Sequence, residues 1–550
     1  LNYREWQSSL REKIIFQLKN NKVVLLQAPT GSGKTLFALD VAFSVGNKIL
    51  VAVRTHNEFY PFYREIANRF HGKRYAFLIG RSNGCLIASE KVKAEDITCS
   101  GCEFLTWKKI DFYGSPFETL AKLKKEGVNE KFCPYHSILN SALDADVILV
   151  TYPYLFIPSL RDTIGISLDD YVVIVDEAHN VDSLIDLEER RLSPNSINMA
   201  IKQSFGLEVK QILEKLKAKV VEITFKEKKF IALSKEKVES LLLKDELDAI
   251  EEEASYLSQR MITQRKIVTN HLMSIVKFFN SVKEDRFRVF SSENSIIAKP
   301  VTSDQYMSIF NGSNVKAIFM SGTLQPKEYF SSVLGLSKDT FYVDVEKEVG
   351  KVGGSYECFI ALDVTSSYSL RSEEMNKRFA SYLLRIYYQA KGHILAVFPS
   401  YEMIEKVSLY LRSVNTFTET PITKVDDLIE HARNTPKIMI MATARGKLSE
   451  GIEISQNGRS LINDVAIVGI PYPPLDDYMK ARSEEVSKRT RRNYLEELMQ
   501  MPAYIAVRQA IGRSIRSPED KSEVWLLDKR FNNMWWKKNI KCFNPKLVRL

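Results

Sequence analysis

The chain has 550 residues, 45% of them apolar and 27% charged, with 78 Lys and Arg against 68 Asp and Glu for a formal charge of +10. That composition excludes a disordered chain and leaves material for more than one buried core, while six cysteines are too few for a disulfide scaffold of this size. No apolar run approaches a membrane span and no charged-then-apolar leader opens the sequence, so the expectation is a soluble, cytoplasmic protein whose mild positive excess favours a polyanionic partner.

The first predicted strand, Val23-Val24-Leu25-Leu26, runs into Ala28-Pro29-Thr30-Gly31-Ser32-Gly33-Lys34-Thr35 and then a helical pattern. Between a strand and a helix, such a loop curls its backbone N–H groups around phosphate oxygens, and the helix N-terminus adds positive potential. Gly31, Ser32 and Gly33 form the cradle, Lys34 would neutralise the β- and γ-phosphates, and Thr35 would ligate Mg²⁺. Ala28 stands where the consensus has its first glycine.

After a second strand, Ile49–Val53, the alternation breaks from about 81 to 145. This interval lacks long apolar strands and holds four of the six cysteines, Cys85, Cys99, Cys102 and Cys133, the last followed by proline. Disulfides are disfavoured inside a cell. The spacing leaves two readings open. Four thiolates suit tetrahedral zinc, with His136 as a further donor, but structural zinc usually brings its ligands in two close pairs. A [4Fe–4S] cube accepts irregular spacing, and Cys-Pro recurs at cluster ligands. Either way the segment is too small and polar to fold on its own core and needs a staple.

Strands Val147–Val150 and Val172–Val175 follow, and the second ends in Asp176-Glu177-Ala178-His179. Two carboxylates at the carboxyl end of a buried strand need a cation; Asp176 would hold Mg²⁺ through water, and Glu177 would orient and deprotonate an attacking water. The second break runs from about 206 to 284. Neither glycine nor proline occurs between Leu207 and Lys299, and Leu243, Leu247, Ile250, Ala254, Leu257 and Met261 recur in alternating steps of four and three, which predicts a helical insertion with an apolar seam.

Further apolar runs lie at Ala317–Met320, Ile394–Val397, Ile438–Met441, Val465–Val468 and Val524–Leu527. Near-continuous apolar strands between helices mean parallel sheets covered on both faces, and nine are too many for one small sheet. The prediction is an α/β protein with two domains meeting near Lys351-Val352-Gly353-Gly354-Ser355. Cys358 and Cys542, in the second domain, are expected as packed thiols. Near the end comes Gln509-Ala510-Ile511-Gly512-Arg513-Ser514-Ile515-Arg516; on a helix Arg513 and Arg516 share a face, placed to reach a γ-phosphate across a cleft.

Ala28–Thr35, Arg54-Thr55-His56-Asn57, Asp176–His179, Ser321-Gly322-Thr323-Leu324, Phe398-Pro399-Ser400-Tyr401, Arg445–Gly451 and Gln509–Arg516 occur in the order of the superfamily 2 helicase motifs. The set most resembles the XPD branch in its short archaeal form, although Glu453 stands where that family commonly has aspartate. The resemblance implies two RecA-like parallel-sheet motor domains that hydrolyse ATP with Mg²⁺ between them, using Lys34, Asp176, Glu177, Gln509, Arg513 and Arg516. Tyr3-Arg4-x-Trp6-Gln7 resembles the adenine-reading motif, with Gln7 on the base. The first motor domain would comprise 1–80, 146–205 and 285–352, interrupted by an iron–sulfur domain at 81–145 and a helical arch at 206–284; the second would be 353–550. The position of the four cysteines in such a motor selects the [4Fe–4S] cube over zinc and makes its domain a wedge against duplex DNA.

The implied activity is ATP-dependent 5′→3′ unwinding of DNA by a monomer acting on single-stranded and forked DNA, in excision repair. Expected DNA contacts are Arg54, Thr55 and His56 on phosphates, Arg81 on phosphates or cluster sulfurs, and Tyr154 and Tyr401 as stacking platforms. The alternatives are a DinG-like or RNA-directed ATPase on the same scaffold, and a non-catalytic DNA-binding redox scaffold, against which the intact Lys34, Glu177 and Arg513 argue.

Overall fold

The computed structural model describes residues 3–90, 92–312, 314–350, 352, 354–420, 422–446, 448, 455–456, 459–515, 519–542 and 544–550. Glu453, Arg516 and parts of the 445–451 and 351–355 stretches lie outside the described residues.

Every apolar run read as a strand is one, and they assort into two sheets of seven strands each. Across the first, the order is Thr340–Asp344, Val23–Gln27, Lys316–Ser321, Val172–Val175, Ile49–Val53, Val147–Thr151 and Tyr75–Phe77, all parallel. Across the second it is Thr416–Thr418, Met439–Thr443, His393–Phe398, Ile462–Val468, Lys521–Leu527, Ser355–Ala361 and Lys546–Val548, again all parallel. Helices Glu5–Lys19 and Lys34–Val45 cover the first sheet, so Val23 to Leu26 are wholly buried. That two-sided burial is why the run carries no polar alternation. Since the strands of each sheet run one way, their carboxyl ends form one edge, and the segments that follow them carry the chemistry.

The segment after Tyr75–Phe77 forms short helices, Pro116–Glu130 and Pro134–Ser141 among them, the first begun by a capping box between Ser115 and Glu118. The segment after Val172–Val175 departs from the purely helical expectation. Besides helices Pro194–Gln203, Leu207–Ile223, Lys244–Thr263 and His271–Lys283, it contains an antiparallel sheet in the order Arg190–Leu192, Ser295–Pro300, Phe287–Ser292 and Ile231–Ala232. Its central hairpin turns on Glu293 and Asn294, both at positive φ. Such a two-residue turn normally advertises itself as Asn-Gly or Asp-Gly, and here neither residue is glycine. On the seam helix, Leu247, Ile250, Ala254, Leu257 and Met261 are buried as predicted, whereas Leu243 is its exposed N-cap. The apolar cluster of this arch takes in Val92 and Ile97 from the cysteine segment, and backbone bonds Ile267 N–H to Ile87 O and Ser89 N–H to Ile267 O join the two.

Helix Asp477–Thr490 of the second motor lies on the first. Arg482 pairs with Asp182 at 2.7 Å, Arg489 with Asp304 at 2.9 Å, and Glu485 with Arg288 of strand Phe287–Ser292 at 3.1 Å. Cys358 and Cys542, expected as separate packed thiols, are joined in a disulfide. The parallel pairing of Lys546–Val548 on Ser355–Ala361 brings their Cα atoms to 5.8 Å.

Candidate nucleotide cleft and cysteine pocket

A cleft of about 1680 Å³ separates the two motors, lined from the first by Thr30, Gly31, Ser32, Glu177 and His179 and from the second by Arg508, Gln509 and Arg513. Its floor is the loop after Val23–Gln27. Gly31 at φ 75 and Gly33 at φ 86 occupy the left-handed region, which turns successive N–H groups inward. The loop is held from behind by helix Glu5–Lys19, where Trp6 Nε1–H donates to Ser32 O at 3.1 Å and Gln7 Nε2–H donates to Gly33 O at 3.1 Å. Gln7 Oε1 accepts the Arg4 N–H at 2.8 Å, so both ends of the Gln7 amide are engaged in bracing the loop. A side chain at Gly33 would meet Gln7 Nε2 at 2.8 Å, a second reason for glycine there. Ser32 Oγ is buried with no hydrogen-bond partner among the described residues, and Lys34 is buried at the start of its helix. A phosphate-bearing ligand answers both, since an unpaired buried hydroxyl and a buried ammonium are each costly.

Asp176 and Glu177 follow Val172–Val175 side by side. Burial pushes the Asp176 carboxyl well above its ordinary range and the neighbouring Glu177 charge pushes it further, with Lys34 opposing. Two such carboxylates side by side suit a hard divalent cation. Glu177 is itself at φ 47, a strained conformation for a side-chain-bearing residue. Burial would raise its carboxyl, but Lys34, His179, the Ser321 hydroxyl and Arg513 together outweigh burial, so the net shift is down and Glu177 is ionised.

One chain of hydrogen bonds crosses the cleft. Gln509 Nε2 lies 2.6 Å from His179 Nε2, and an amide nitrogen only donates, so that ring nitrogen accepts. The proton therefore sits on Nδ1 and is donated to Ser321 Oγ at 2.6 Å, while the Ser321 hydroxyl donates to Glu177 Oε2 at 3.2 Å. Ser321 Oγ also accepts Thr323 N–H at 3.1 Å, and Gln325 Nε2–H donates to His179 O at 2.8 Å. Of the two residues that relay this path, Ser321 has a signal in sequence as a polar residue ending a buried strand, whereas His179 lies in the turn Ala178–Ser183 beyond one. Arg508, whose Nη1–H donates to Tyr356 OH at 3.0 Å, is another cleft residue with no motif to announce it.

Arg54 and Thr55 line the same cleft, where Glu58 accepts Arg54 N–H and the Thr55 hydroxyl, each at 3.0 Å. His56, next to them, is half-buried; its Nε2 is enclosed without a partner among the described residues, and burial lowers its pKa. Tyr154 is no stacking platform. It is 4% exposed, and its hydroxyl donates to Ile79 O at 2.7 Å, because the short helix Tyr152–Phe156 packs into the sheet. Tyr401, 36% exposed, is open to solvent.

Cys85, Cys99, Cys102 and Cys133 line one small pocket with Arg81, Tyr135 and His136. Burial pushes Cys133 up to about 11 and raises Cys99 and Cys102, and each of the three also feels the charge of neighbouring cysteines. Backbone N–H groups of Tyr135 and His136 reach Cys133 sulfur, and that of Phe104 reaches Cys102. Holding four such sulfurs as thiolates requires bound cationic charge. Among the described residues no three His, Cys, Asp or Glu converge tightly enough to hold one metal ion. Arg81 donates to Ile97 O at 3.0 Å and faces this pocket.

Two family models match the chain, DEAD_2 over residues 51–195 and a helicase C-terminal domain over 383–545. The curated "ATP-dependent DNA helicase XPD" of Sulfolobus acidocaldarius is 44% identical over 559 aligned residues, covering 100% of both chains. Among solved structures, one titled "XPD_Helicase" superposes with a TM-score of 0.92 at 43% identity over 100% of both chains. Another, titled "XPD_APO", gives 0.80 at 40% identity, covering 98% of this chain and 100% of the other.

Proposed function

The chain belongs to the XPD family of superfamily 2 helicases, and on that premise we propose that it is an ATP-dependent DNA helicase that moves 5′→3′ on single-stranded DNA. The observation that carries this reading is the bonded path from Gln509 of the second motor through His179 and Ser321 to Glu177 of the first. Lys34 withdraws charge from the β- and γ-phosphates of ATP, and Thr35 and Asp176 hold Mg²⁺. Glu177 orients the attacking water and accepts its proton. Arg513, whose charge already reaches Glu177, faces the γ-phosphate across the cleft. Gln7, expected on the adenine, is buried and spends both ends of its amide on Gly33 and Arg4, so its part is to brace the phosphate loop. Closing on ATP and opening after hydrolysis would change the grip of the two motors on the strand in alternation.

Cys85, Cys99, Cys102 and Cys133 hold a [4Fe–4S] cluster, a reading supported by four thiols around one pocket and by N–H groups on two of the sulfurs. When bound, it supplies the rigidity that lets residues 81–145 act as a wedge at a fork. No helix among the described residues is long and apolar enough to cross a membrane, and we place the protein in the cytoplasm as a monomer acting on forked DNA in excision repair.

A strand-displacement assay decides the matter. The protein should unwind a 5′-tailed duplex with ATP, leave a 3′-tailed one intact, and lose about 10²–10³ in turnover with Lys34→Ala, the loss typical of removing one preorganised charge-stabilising group. Equal unwinding of both tails, or ATP-independent separation, would refute it.

A further inference from the structure

Tyr368 is 79% exposed, on the short turn Tyr368–Leu370 that follows the carboxyl end of strand Ser355–Ala361. Two cations stand over its ring: Lys229 Nζ of the arch 5.4 Å from the centroid, and Arg371 Cζ of the second motor 5.3 Å from it. Four-fifths of the residue is still open to solvent, so both contacts are made at the surface and leave most of it accessible. Tyr401 and Glu402 are close by, since the Glu402 carboxylate feels both Arg371 and Lys228. An exposed aromatic flanked by exposed Lys228, Lys229 and Arg371 has the composition of a surface for unstacked bases and their phosphates.

The surface is also built in advance. Asp528, wholly buried, accepts Ser366 N–H at 2.7 Å, the Ser366 hydroxyl at 3.0 Å and the Thr365 hydroxyl at 3.2 Å, which fixes the root of the Tyr368 loop. Gly469, at φ 86, lets that loop abut the Phe398-Pro399-Ser400-Tyr401 segment, because a side chain there would meet Ser366 Oγ at 2.6 Å and Pro399 at 3.5 Å. On the arch side, Ser292 Oγ–H donates to Lys228 O at 2.9 Å and Glu293 N–H donates to Glu227 O at 2.8 Å, so the lysine loop is held by the hairpin. Groups fixed before the ligand arrives lose little freedom on binding it.

We propose that Tyr368 is a stacking platform for a base of single-stranded DNA, with Lys229 and Arg371 on the phosphates either side of it, so that arch and second motor hold one strand between them. The inference rests on the DNA-motor reading above and assigns a site at the junction of two domains, away from the nucleotide cleft.

Anisotropy of a labelled oligothymidylate, with and without abasic positions, tests it on the full chain. Tyr368→Leu should weaken binding roughly tenfold, as stacking of one base is lost, while Tyr368→Trp keeps wild-type affinity and DNA-independent ATP turnover is unchanged in both. Abasic positions should weaken the wild type and add little to Tyr368→Leu. If wild type binds the oligonucleotide and Tyr368→Leu binds it equally well, the platform is refuted and the motor stands. If wild type binds no single strand, both fall, and tighter binding of the matching RNA would overturn the assignment to DNA.

Discussion

The contact between Asp182 and Arg482 is the place where the two motors are most sensitive to one atom. Asp182 accepts Arg482 Nη2–H at 2.7 Å, the Ser303 hydroxyl at 2.6 Å and the Tyr329 hydroxyl at 2.9 Å, and the two charged side chains are only 13% and 8% exposed. Arg482 Nε already lacks a partner among the described residues, so the guanidinium depends on this carboxylate. Removing one member of a buried pair costs about 3–5 kcal/mol. Asp182→Asn keeps an acceptor oxygen, which places the loss near the lower end, about 3 kcal/mol, or roughly a hundredfold in a local opening constant. Hydrogen exchange of amides in helix Asp477–Thr490 reads that opening directly. Burial alone would raise the Asp182 carboxyl, but Arg482, Ser303 and Tyr329 hold it below its ordinary 3.8. The pair therefore stabilises the closed contact above that value, and its contribution is lost as pH falls through the lower, folded-state value. Leucine at 182 with methionine at 482 should recover part of the loss, since the charges then vanish together. Exchange in this helix that changes less than threefold in Asp182→Asn would refute the reasoning.

Cys102→Ser should abolish the visible iron–sulfur absorption and strand separation while sparing much of the ATP turnover; a colourless variant that unwinds normally would remove the wedge. For the metal, burial raises Asp176 above its ordinary range, so in the cation-free protein its ionisation lowers stability as pH climbs from acid toward neutral. Mg²⁺ with nucleotide should then raise the melting temperature more at about pH 7.5 than at about pH 5.5, and an equal rise at both would place the metal elsewhere.

Loops whose chemistry fixes residue type at fixed spacing were legible in the sequence: the 28–35 cradle and the 176–177 carboxylates each sit on one strand end, so local order carries them. The cysteines were legible as a set, because few other thiols compete. Four of the strands that went unread are sheet edges: at Thr340–Asp344, Thr416–Thr418 and Lys546–Val548 thinner cover admits polar residues and breaks the apolar run, while Tyr75–Phe77 is buried but only three residues long. Tyr154 was misplaced because sequence position puts it in a loop after a strand, while its hydroxyl has a carbonyl to reach only once the fold has formed. Gln509 and His179 are 330 residues apart, and no periodicity connects them.

That last pair also explains how hydrolysis is made conditional on closure. The ionised state of Glu177 depends on Lys34 and His179 in its own domain, but also on Arg513 from the other. His179 Nδ1 lies 3.3 Å from Glu177 Oε2, and its tautomer is set by the amide of Gln509. Were the second motor to swing away, the imidazole would lose the donor that pins its proton on Nδ1. If Glu177 is the base, its alignment through Ser321, His179 and Gln509 would be complete only when both motors are seated, which would tie hydrolysis to closure. The Asp182–Arg482 contact then does more than add stability: it limits how far helix Asp477–Thr490, and with it the following helix Leu495–Gly512 that carries Gln509, can drift from the cleft.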